Sequence, residues 1–227
     1  LKSLGATPIL CSVIGNDSKG ILFEKLMHDA NLSTEGLLTS KKRRTTLKTR
    51  VISENKHQLR VDEEDTHPIT VETQFLQLIK ELINNIDVII LQDYNKGVLT
   101  PKVITAVIKI ANAKSIPTIV DPKKKNFNFY KGCTIFKPNL VEIKSGMNID
   151  FNADNASEIE KISAELRSLL SAKAVLLTLS ARGICINSKE KFTLTPAFKR
   201  NIIDVSGAGD TVISVAALSL ASNMDLT

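Results

Sequence analysis

Short apolar runs alternate with segments of helical periodicity along most of the chain. The runs with the composition of buried strands are residues 8–14, 88–91, 118–120, 134–136 and 175–179. Apolar residues recur at helical spacing in residues 20–30, 71–84 and 156–170. Pro101, which follows Thr100 as its N-cap, predicts the start of a further helix. Apolar strands that alternate with helices predict an α/β fold with a parallel sheet covered on both faces.

Residues 43–64 interrupt this alternation, because they lack helical periodicity and instead predict two extended strands around residues 54–56. Lys48 and Arg50 share one side of the first strand, and Arg60 lies on the polar side of the second. A hairpin with cations on one face is typical of a lid over an anionic ligand. An edge hairpin whose Lys and Arg side chains discourage aggregation has the same pattern, and patterning alone does not choose between them.

The composition is that of an ordinary globular protein, with 43% hydrophobic and 24% charged residues in 227 positions. No apolar run reaches the ~18 residues that a membrane span needs. No secretory signal pattern opens the chain, although it starts at Leu1 and a leader can have been lost. Cys11, Cys133 and Cys185 are far apart in apolar stretches, so we expect reduced core thiols and a cytoplasmic location.

The formal net charge of +6 is compatible with nucleic acid, an anionic membrane or phosphorylated small molecules as partners. Residues 41–44 and 123–125 are basic runs that together exceed the net charge. Aromatic residues make up only 4% of the chain, which is poor for stacking on single-stranded bases. A short basic run is most often a solvated loop, so the charge pattern leaves the partner open.

Residues 204–211 (DVSGAGDT) precede an apolar run at residues 212–220 that predicts a buried helix. Gly207 and Gly209 at the mouth of this helix let the backbone approach a ligand, and the free amides and helix dipole attract an anion. Asp210 in the same turn repels a phosphate. The presence of an acidic residue here is explained if Asp210 accepts a proton from a hydroxyl that attacks the phosphate. Glycine-rich turns before helices also occur for structural reasons alone.

Two other phosphate-binding motifs fail on this sequence. A Rossmann G-x-G-x-x-G would need glycine where Val212 stands. A Walker A loop at residues 15–20 lacks the lysine and hydroxyl that should follow, since Ile21 and Leu22 occupy those positions. We therefore predict a strand-to-helix turn at residues 15–20.

Residues 204–210 resemble the DTGAGD signature of the ribokinase (PfkB) family of carbohydrate kinases, with a hydroxyl retained at Ser206. Other segments follow in the order of the family: DPK at 121–123 is similar to D-x-R/K, KPNLVE at 137–142 to N-x-x-E, and TLSARG at 178–183 to T-x-G/S-x-x-G. The resemblance implies a three-layer α/β/α sandwich with a mostly parallel central sheet and a small β lid. It implies one kinase domain over residues 1–227, trimmed at both ends, with the lid at about residues 43–64.

The resemblance also implies a sugar kinase that uses ATP and Mg²⁺. Asp210 is expected to take the proton of the sugar hydroxyl, while the amides of Gly207, Ala208 and Gly209 hold the transferred phosphate. Glu142 is expected to order Mg²⁺ through water, and Thr211 to stabilise the helix start. The residues that the resemblance places at the nucleotide are Asn139, Glu142, Thr178, Ser180, Gly183 and Asp204.

Within the family, the chain most resembles the heptose 7-phosphate kinases, including the kinase half of the bifunctional ADP-heptose synthases. The indicative segments are residues 45–53, 58–62 and 92–97, the last of which is similar to S-D-Y-x-K-G. A substrate that already bears a phosphate would give the local cations a role, because phosphate prefers multipoint charge-assisted contacts. Each of these cations is equally explained as a solvated surface charge. They are Lys48, Arg50, Arg60 and Lys96.

We therefore expect phosphorylation of heptose 7-phosphate at the anomeric hydroxyl, giving the 1,7-bisphosphate in ADP-heptose and lipopolysaccharide core biosynthesis. The same chemistry on ribose, fructose or fructose phosphate is the alternative within the family. A basic polyanion-binding module without activity is the alternative from another class. The expected partners are a sugar phosphate, a second copy through the lid and a fused nucleotidyltransferase outside this chain, without nucleic acid or membrane.

Overall fold

The structure, a computed structural model, describes residues 1–53, 56–198 and 207–225. The chain divides into two compact units, which we name by their main features. The hairpin unit comprises Lys2–Asn84 and Asn95–Val103, and the sheet unit comprises Asn85–Tyr94 and Ile104–Thr227 together with Leu1. The single domain expected from the sequence stays a prediction.

Ten strands and six α-helices lie within the described ranges. The first elements are β1 (Ser12–Gly15), α1 (Ser18–Asp29), β2 (Leu37–Ser40), β3 (Leu47–Ser53), β4 (Lys56–Glu63) and α2 (Glu72–Leu82). They are followed by β5 (Ile89–Gln92), α3 (Pro101–Ala113), β6 (Thr118–Asp121), β7 (Ile135–Phe136), α4 (Leu140–Met147) and α5 (Ala156–Leu170). The last are β8 (Ala174–Thr178), β9 (Ile184–Ser188), β10 (Phe192–Thr195) and α6 (Ala208–Ala221).

The hairpin unit contains two separate pairs of strands. β1 pairs with β2 in parallel, and β3 pairs with β4 in antiparallel orientation. Between β1 and α1, Asp17 is the N-cap and its carboxylate accepts the amide of Gly20 at 2.8 Å. This confirms the strand-to-helix turn predicted at residues 15–20, and β3 and β4 confirm the predicted hairpin.

The sheet unit is built on a six-stranded sheet in the order β10-β9-β8-β7-β6-β5. β5, β6, β7 and β8 run parallel, whereas β9 and β10 join in antiparallel orientation. On one face, Ile119, Ile135 and Leu176 pack against Ile213 and Ala217 of α6. The mostly parallel sheet predicted from the apolar runs is therefore confirmed.

The opposite face of the same sheet is covered as well. Successive strand residues point to opposite faces, so Phe136 faces away from α6 and packs edge-on against Phe127, with ring centroids 5.0 Å apart. Asn187, in register with Phe136 through Val175, accepts a hydrogen bond from Arg167 of α5 at 3.1 Å. Helices therefore cover both faces of the sheet unit, as the predicted α/β/α layering requires.

Several predicted element boundaries are confirmed and two expectations are wrong. The helix predicted at 156–170 has these bounds, and α3 begins at Pro101 with the Thr100 hydroxyl accepting the amide of Val103 at 3.2 Å. The first strand starts later than predicted, because its pairing with β2 begins only at Ser12, opposite Leu37, and Ile9 forms only an isolated bridge to Ser33. Helix α6 is not buried all round, since Val215 remains 50% exposed.

The cysteines and the first basic run have distinct environments. Cys133 and Cys185 are buried free thiols, whereas Cys11 is half-buried, and burial raises the pKa of Cys133 to about 12. Lys41, Lys42 and Arg44 are exposed as expected of a solvated run. Arg43 is instead buried, and its guanidinium donates to the carbonyl oxygen of Lys96 at 2.7 Å. No helix within the described ranges is long and apolar enough to cross a membrane.

Candidate active site

Polar side chains gather where the parallel strands of the sheet unit end. Gln92 and Asp121 are the last residues of β5 and β6, and Lys137 follows β7. The ammonium of Lys137 lies 3.2 Å from a carboxylate oxygen of Asp121, and the lysine side chain is only 3% exposed. A buried cation at the carboxyl edge of a parallel sheet lies where α/β proteins bind their ligands.

Helix α6 begins beside this ion pair. Gly207 is its N-cap with φ of +79°, a left-handed conformation that favours glycine. A Cβ atom at Gly207 would meet nothing within 4 Å, and one at Gly209 would lie 3.8 Å from the Lys137 ammonium. Among the described residues, no side chain caps α6, so its first-turn amides remain open to an anion.

Asp210 lies in that first turn and is exposed. The side-chain amide of Gln92 donates to the Asp121 carboxylate at 3.0 Å and to the Asp210 carboxylate at 3.4 Å. The predicted base is thereby connected to the Asp121–Lys137 pair. Thr211 donates its hydroxyl to the carbonyl of Gly207 at 3.0 Å, in agreement with its expected role at the helix start. Asp204 lies outside the described residues.

The predicted N-x-x-E segment forms the start of α4. The Asn139 side chain accepts the amide of Glu142 at 2.9 Å, and the Glu142 carboxylate accepts the amide of Asn139 at 3.0 Å. The other carboxylate oxygen of Glu142 is paired with the ammonium of Lys123. Glu142 is therefore a buried helix cap that also carries an ion pair.

The T-x-S-x-x-G segment lies next to the N-x-x-E segment. The Thr178 amide donates to the Pro138 carbonyl at 3.1 Å, and Asn139 and Thr178 form a parallel bridge. Ser180 is in the exposed turn that follows β8. Gly183 has φ of +109°, and a Cβ atom there would collide with the Thr195 carbonyl oxygen. Backbone packing therefore explains this glycine without a ligand.

The candidate cations of the hairpin unit are mostly paired with carboxylates. Lys48 lies 2.8 Å from Asp62 and 3.0 Å from Glu64, and Lys96 also pairs with Glu64. The hydrogen bond with Asp62 raises the pKa of Lys48. Bonds from Lys96 and then from Lys48 lower the pKa of Glu64.

The two arginines of the hairpin differ from these lysines. Arg60 lies 3.0 Å from Asp62 but its side chain is 59% exposed. Arg50 is exposed and, within the described part of the chain, has no ion-pair partner. The register places Arg50 directly opposite Arg60. Like charges at directly opposite positions of a hairpin destabilise it, so an anion at this face would be favourable.

Gln92 and Lys137 are functional candidates that the motif analysis did not select. Lys137 stands in the KPNLVE segment, but only the structure shows that its ammonium is buried beside Gly209. Gln92 ends an apolar strand, a position from which a polar side chain reaches the ligand edge of a parallel sheet. A polar residue at the end of a predicted apolar strand is therefore a sequence pattern that indicates a candidate site residue.

Solved structures of sugar kinases share this fold. Phosphofructokinase-2 from Escherichia coli in complex with potassium superposes with a TM-score of 0.81 at 19% identity, covering 98% of this chain and 72% of that one. Ribokinase from Arabidopsis thaliana, complexed with ribose and ATP, gives a TM-score of 0.72 at 16% identity, covering 95% of this chain and 70% of that one. At these identities the likeness shows the fold alone, which is ribokinase-like.

The chain belongs to the pfkB family of carbohydrate kinases, which it matches over residues 1–227. It is therefore a sugar kinase. The bifunctional protein HldE from Campylobacter jejuni subsp. doylei is 37% identical over 226 residues, which are 100% of this chain and 47% of that protein. HldE from Helicobacter pylori strain G27 is 36% identical over 228 residues, covering 100% of this chain and 49% of that protein. The chain thus spans about half the length of these curated relatives.

A tetrameric inhibited form of E. coli phosphofructokinase-2 has a TM-score of 0.77 at 20% identity, covering 98% of this chain and 73% of that one. A tetramer does not match the homodimer expected from the sequence. The likeness extends to the fold alone, so the homodimer stays a prediction.

Proposed function

We propose that this chain transfers the γ-phosphoryl group of ATP to the anomeric hydroxyl of D-glycero-β-D-manno-heptose 7-phosphate. The product is the 1,7-bisphosphate, a precursor in ADP-heptose biosynthesis. The observation that carries the proposal is the open start of α6, where Asp210 lies in the first turn and the buried ammonium of Lys137 lies beside Gly209. The choice of heptose 7-phosphate rests on the resemblance at residues 45–53, 58–62 and 92–97.

In the proposed reaction, the anomeric oxygen forms a bond to the γ-phosphorus. The bond from that phosphorus to the β,γ-bridging oxygen breaks, and its electron pair leaves with ADP. The hydroxyl proton passes to Asp210. The amides of Gly207, Ala208 and Gly209 and the dipole of α6 stabilise the charge on the transferred group.

We assign Asn139, Thr178, Ser180, Gly183 and Asp204 to the nucleotide site. The contact between Asn139 and Thr178 supports this assignment for the two residues that it joins. A kinase acts on ATP, so the nucleotide is the second substrate and not a resident cofactor. The other three, Ser180, Gly183 and Asp204, remain proposals from the motif resemblance, with Asp204 outside the described part of the chain.

The residues present fit Mg²⁺ only as an ion held mainly by the phosphates. Among the described residues, no group of three or more His, Cys, Asp or Glu side chains could hold a metal ion. Mg²⁺ usually keeps several waters and uses one or two carboxylates together with substrate phosphates, and when bound it neutralises their charge. Each oxygen of Glu142 accepts one bond in this structure and retains a lone pair for a metal-bound water.

We assign the second phosphate of the substrate to the cations of the hairpin unit. Glu64 bridges Lys48 and Lys96, so a phosphate that binds these lysines either uses their remaining N–H donors or replaces that carboxylate. Arg50 and Arg60 are directly opposite in the register of the hairpin, and their guanidinium groups are planar donors suited to phosphate. Arg50 is consequently the first residue to test, since binding by it breaks no ion pair among the described residues.

The other face of the hairpin supports the proposed homodimer. Val51, Leu59 and Val61 lie on the side away from Arg50, and Leu59 is 58% exposed. We propose that a second copy of this chain covers them. Sedimentation of the full-length protein tests this, because Leu59→Glu should dissociate the dimer, and unchanged sedimentation would contradict it.

Two further expectations belong to the whole protein. The relatives named HldE are described as bifunctional, which agrees with a second, fused activity outside this chain. We propose that this second activity is a nucleotidyltransferase. The cytoplasmic location expected from the free thiols stays a prediction.

The experiment is ADP release by the full-length protein with a panel of acceptors. Heptose 7-phosphate should be used in preference to unphosphorylated heptose, fructose 6-phosphate and ribose. Preference for another sugar would retain the kinase chemistry and reject the substrate. Binding of duplex DNA at physiological salt without ATP binding would reject the proposal in favour of a polyanion-binding module.

A further inference from the structure

We propose that Gln92 is a positioning residue whose side-chain amide orients the carboxylate of Asp210. This inference rests on the proposed function, because it takes Asp210 as the proton acceptor. The structure connects the two residues although they are 118 positions apart in the chain.

Gln92 is fixed from the side of the sheet. It ends β5, and its register partner Asp121 ends β6. The carboxylate of Asp121 is itself held by the buried ammonium of Lys137 at 3.2 Å. An acceptor that is fixed by a buried cation gives the Gln92 amide a defined place from which it reaches Asp210.

The chemistry of the amide sets its orientation. A glutamine side chain carries two N–H donors on one nitrogen, so it can serve two carboxylates at once. The nitrogen of Gln92 lies 3.0 Å from Asp121 and 3.4 Å from Asp210. The reversed amide would turn its oxygen toward both carboxylates and be repelled. The Gln92 side chain also forms a hydrogen bond with Tyr94, so its amide lies among three polar partners, two of which are the carboxylates of Asp121 and Asp210.

The hydrogen bond from Gln92 restricts the orientation of the proposed proton acceptor, Asp210. Gln92 engages the Oδ1 atom of Asp210, which leaves Oδ2 for the sugar hydroxyl. Among the described residues, the structure shows no other side-chain hydrogen bond to Asp210. An exposed carboxylate in the first turn of a helix rotates freely unless a neighbour holds it, and misplacement of a reacting group by about 1 Å can cost 10²-fold in rate.

The test is Gln92→Met in the full-length protein, because methionine keeps the length of the side chain and removes both N–H groups. We expect kcat to fall roughly tenfold, the scale of one hydrogen bond to a charged group, while KM for ATP changes less than about twofold. Gln77→Met is the matched control, since the Gln77 amide donates to Glu81 at 2.9 Å on the exposed side of helix α2. Its kcat should equal that of the unmodified protein.

The same substitution in an Asp210→Asn background separates positioning from other effects. If Gln92 acts through Asp210, the double variant should be no slower than Asp210→Asn alone. An equal further loss, or an unchanged kcat in Gln92→Met, overturns the inference. If Gln92→Met does not fold, Gln92→Asn replaces it, because its shorter amide cannot span both carboxylates, and the same loss in kcat is expected. Full turnover in Asp210→Asn alone would instead reject the proposed function.

Discussion

The side chains of Asn139 and Glu142 each accept a hydrogen bond from the backbone amide of the other residue, at 2.9 and 3.0 Å. This reciprocal arrangement is a capping box, which needs a spacing of three residues at a helix start. The N-x-x-E pattern therefore has a structural cause besides any contact with a nucleotide. A second such pattern at Asn155 and Glu158 begins α5, where Asn155 accepts the Glu158 amide.

Glu142→Gln should raise the Mg²⁺ concentration that gives half-maximal rate and leave KM for the sugar little changed. Glutamine still accepts the amide of Asn139, so the cap remains, but the negative charge that orders metal-bound water is lost. A magnesium titration of kcat measures this. Glu158→Gln, at the start of α5, is the matched control and should leave the titration unchanged. Identical magnesium titrations for both variants would show that Glu142 acts only as a helix cap.

Arg50→Met should raise KM for heptose 7-phosphate about tenfold or more and leave KM for ATP unchanged. A charge-assisted bond to a partly desolvated phosphate contributes about 1.5–3 kcal/mol, or roughly 10- to 150-fold in affinity. Lys48→Met should have a smaller effect on binding, because Lys48 already serves Asp62 and Glu64.

Unphosphorylated heptose is the control substrate for both variants. Substitution of a residue that contacts only the phosphate should not change the reaction of unphosphorylated heptose. Equal losses of activity on both sugars would instead indicate a damaged hairpin. If Arg50 is only a solvated charge, its loss should stay within about 0.5 kcal/mol. That result would leave Arg60 and Lys96 as the remaining candidates.

The ion pairs of the hairpin predict a loss of stability in acid. The hydrogen bond from Lys48 lowers the pKa of Asp62, and bonds from Lys96 and Lys48 lower the pKa of Glu64. Carboxyls with a lowered pKa in the folded state stabilise it above their unfolded pKa of about 4, and this contribution is lost as the pH falls further. Urea unfolding of Lys48→Met should therefore show its deficit at pH 7 and a smaller deficit at pH 3. A deficit independent of pH would mean that Lys48 contributes by packing alone.

Gly183→Ala should destabilise the protein by about 2–4 kcal/mol, since it adds steric collision to backbone strain. Gly183 has φ of +109°, and its new methyl group would meet the Thr195 carbonyl oxygen. Gly5→Ala is the control, because Gly5 has φ of +89° and open space around it, so only strain of about 1 kcal/mol is expected. Chemical unfolding measures both. Equal losses of stability in the two variants would show that the Thr195 carbonyl moves away from the new methyl group at no cost in free energy.

Local signals explain why some elements could be predicted from the sequence. The bounds of α5 follow from Asn155 as N-cap and from apolar spacing within the helix itself. The start of α3 depends on two neighbours, Thr100 and Pro101. The late start of β1 depends instead on pairing with a distant strand, which its own composition does not specify.

The site could be predicted only where its residues lie within one motif. Asp210 and the glycines before it are adjacent in the chain, so their chemistry could be read together. The pairing of Lys48 with Asp62 depends on a register that shifts between Val51 and Ile52. The approach of Lys137 to Gly209 depends on how α6 packs on the sheet. Such relationships between distant segments require the fold.

The most direct test is the kcat of Asp210→Asn for the conversion of heptose 7-phosphate and ATP into the 1,7-bisphosphate by the full-length protein. Asparagine keeps the shape of the side chain and removes the proton acceptor, so nucleotide binding should persist while kcat falls by at least ~10²-fold, the scale of lost general-base catalysis. Calorimetry with ATP establishes that the variant still binds the nucleotide. A kcat close to that of the unmodified protein would contradict the role of Asp210 and the proposed mechanism with it.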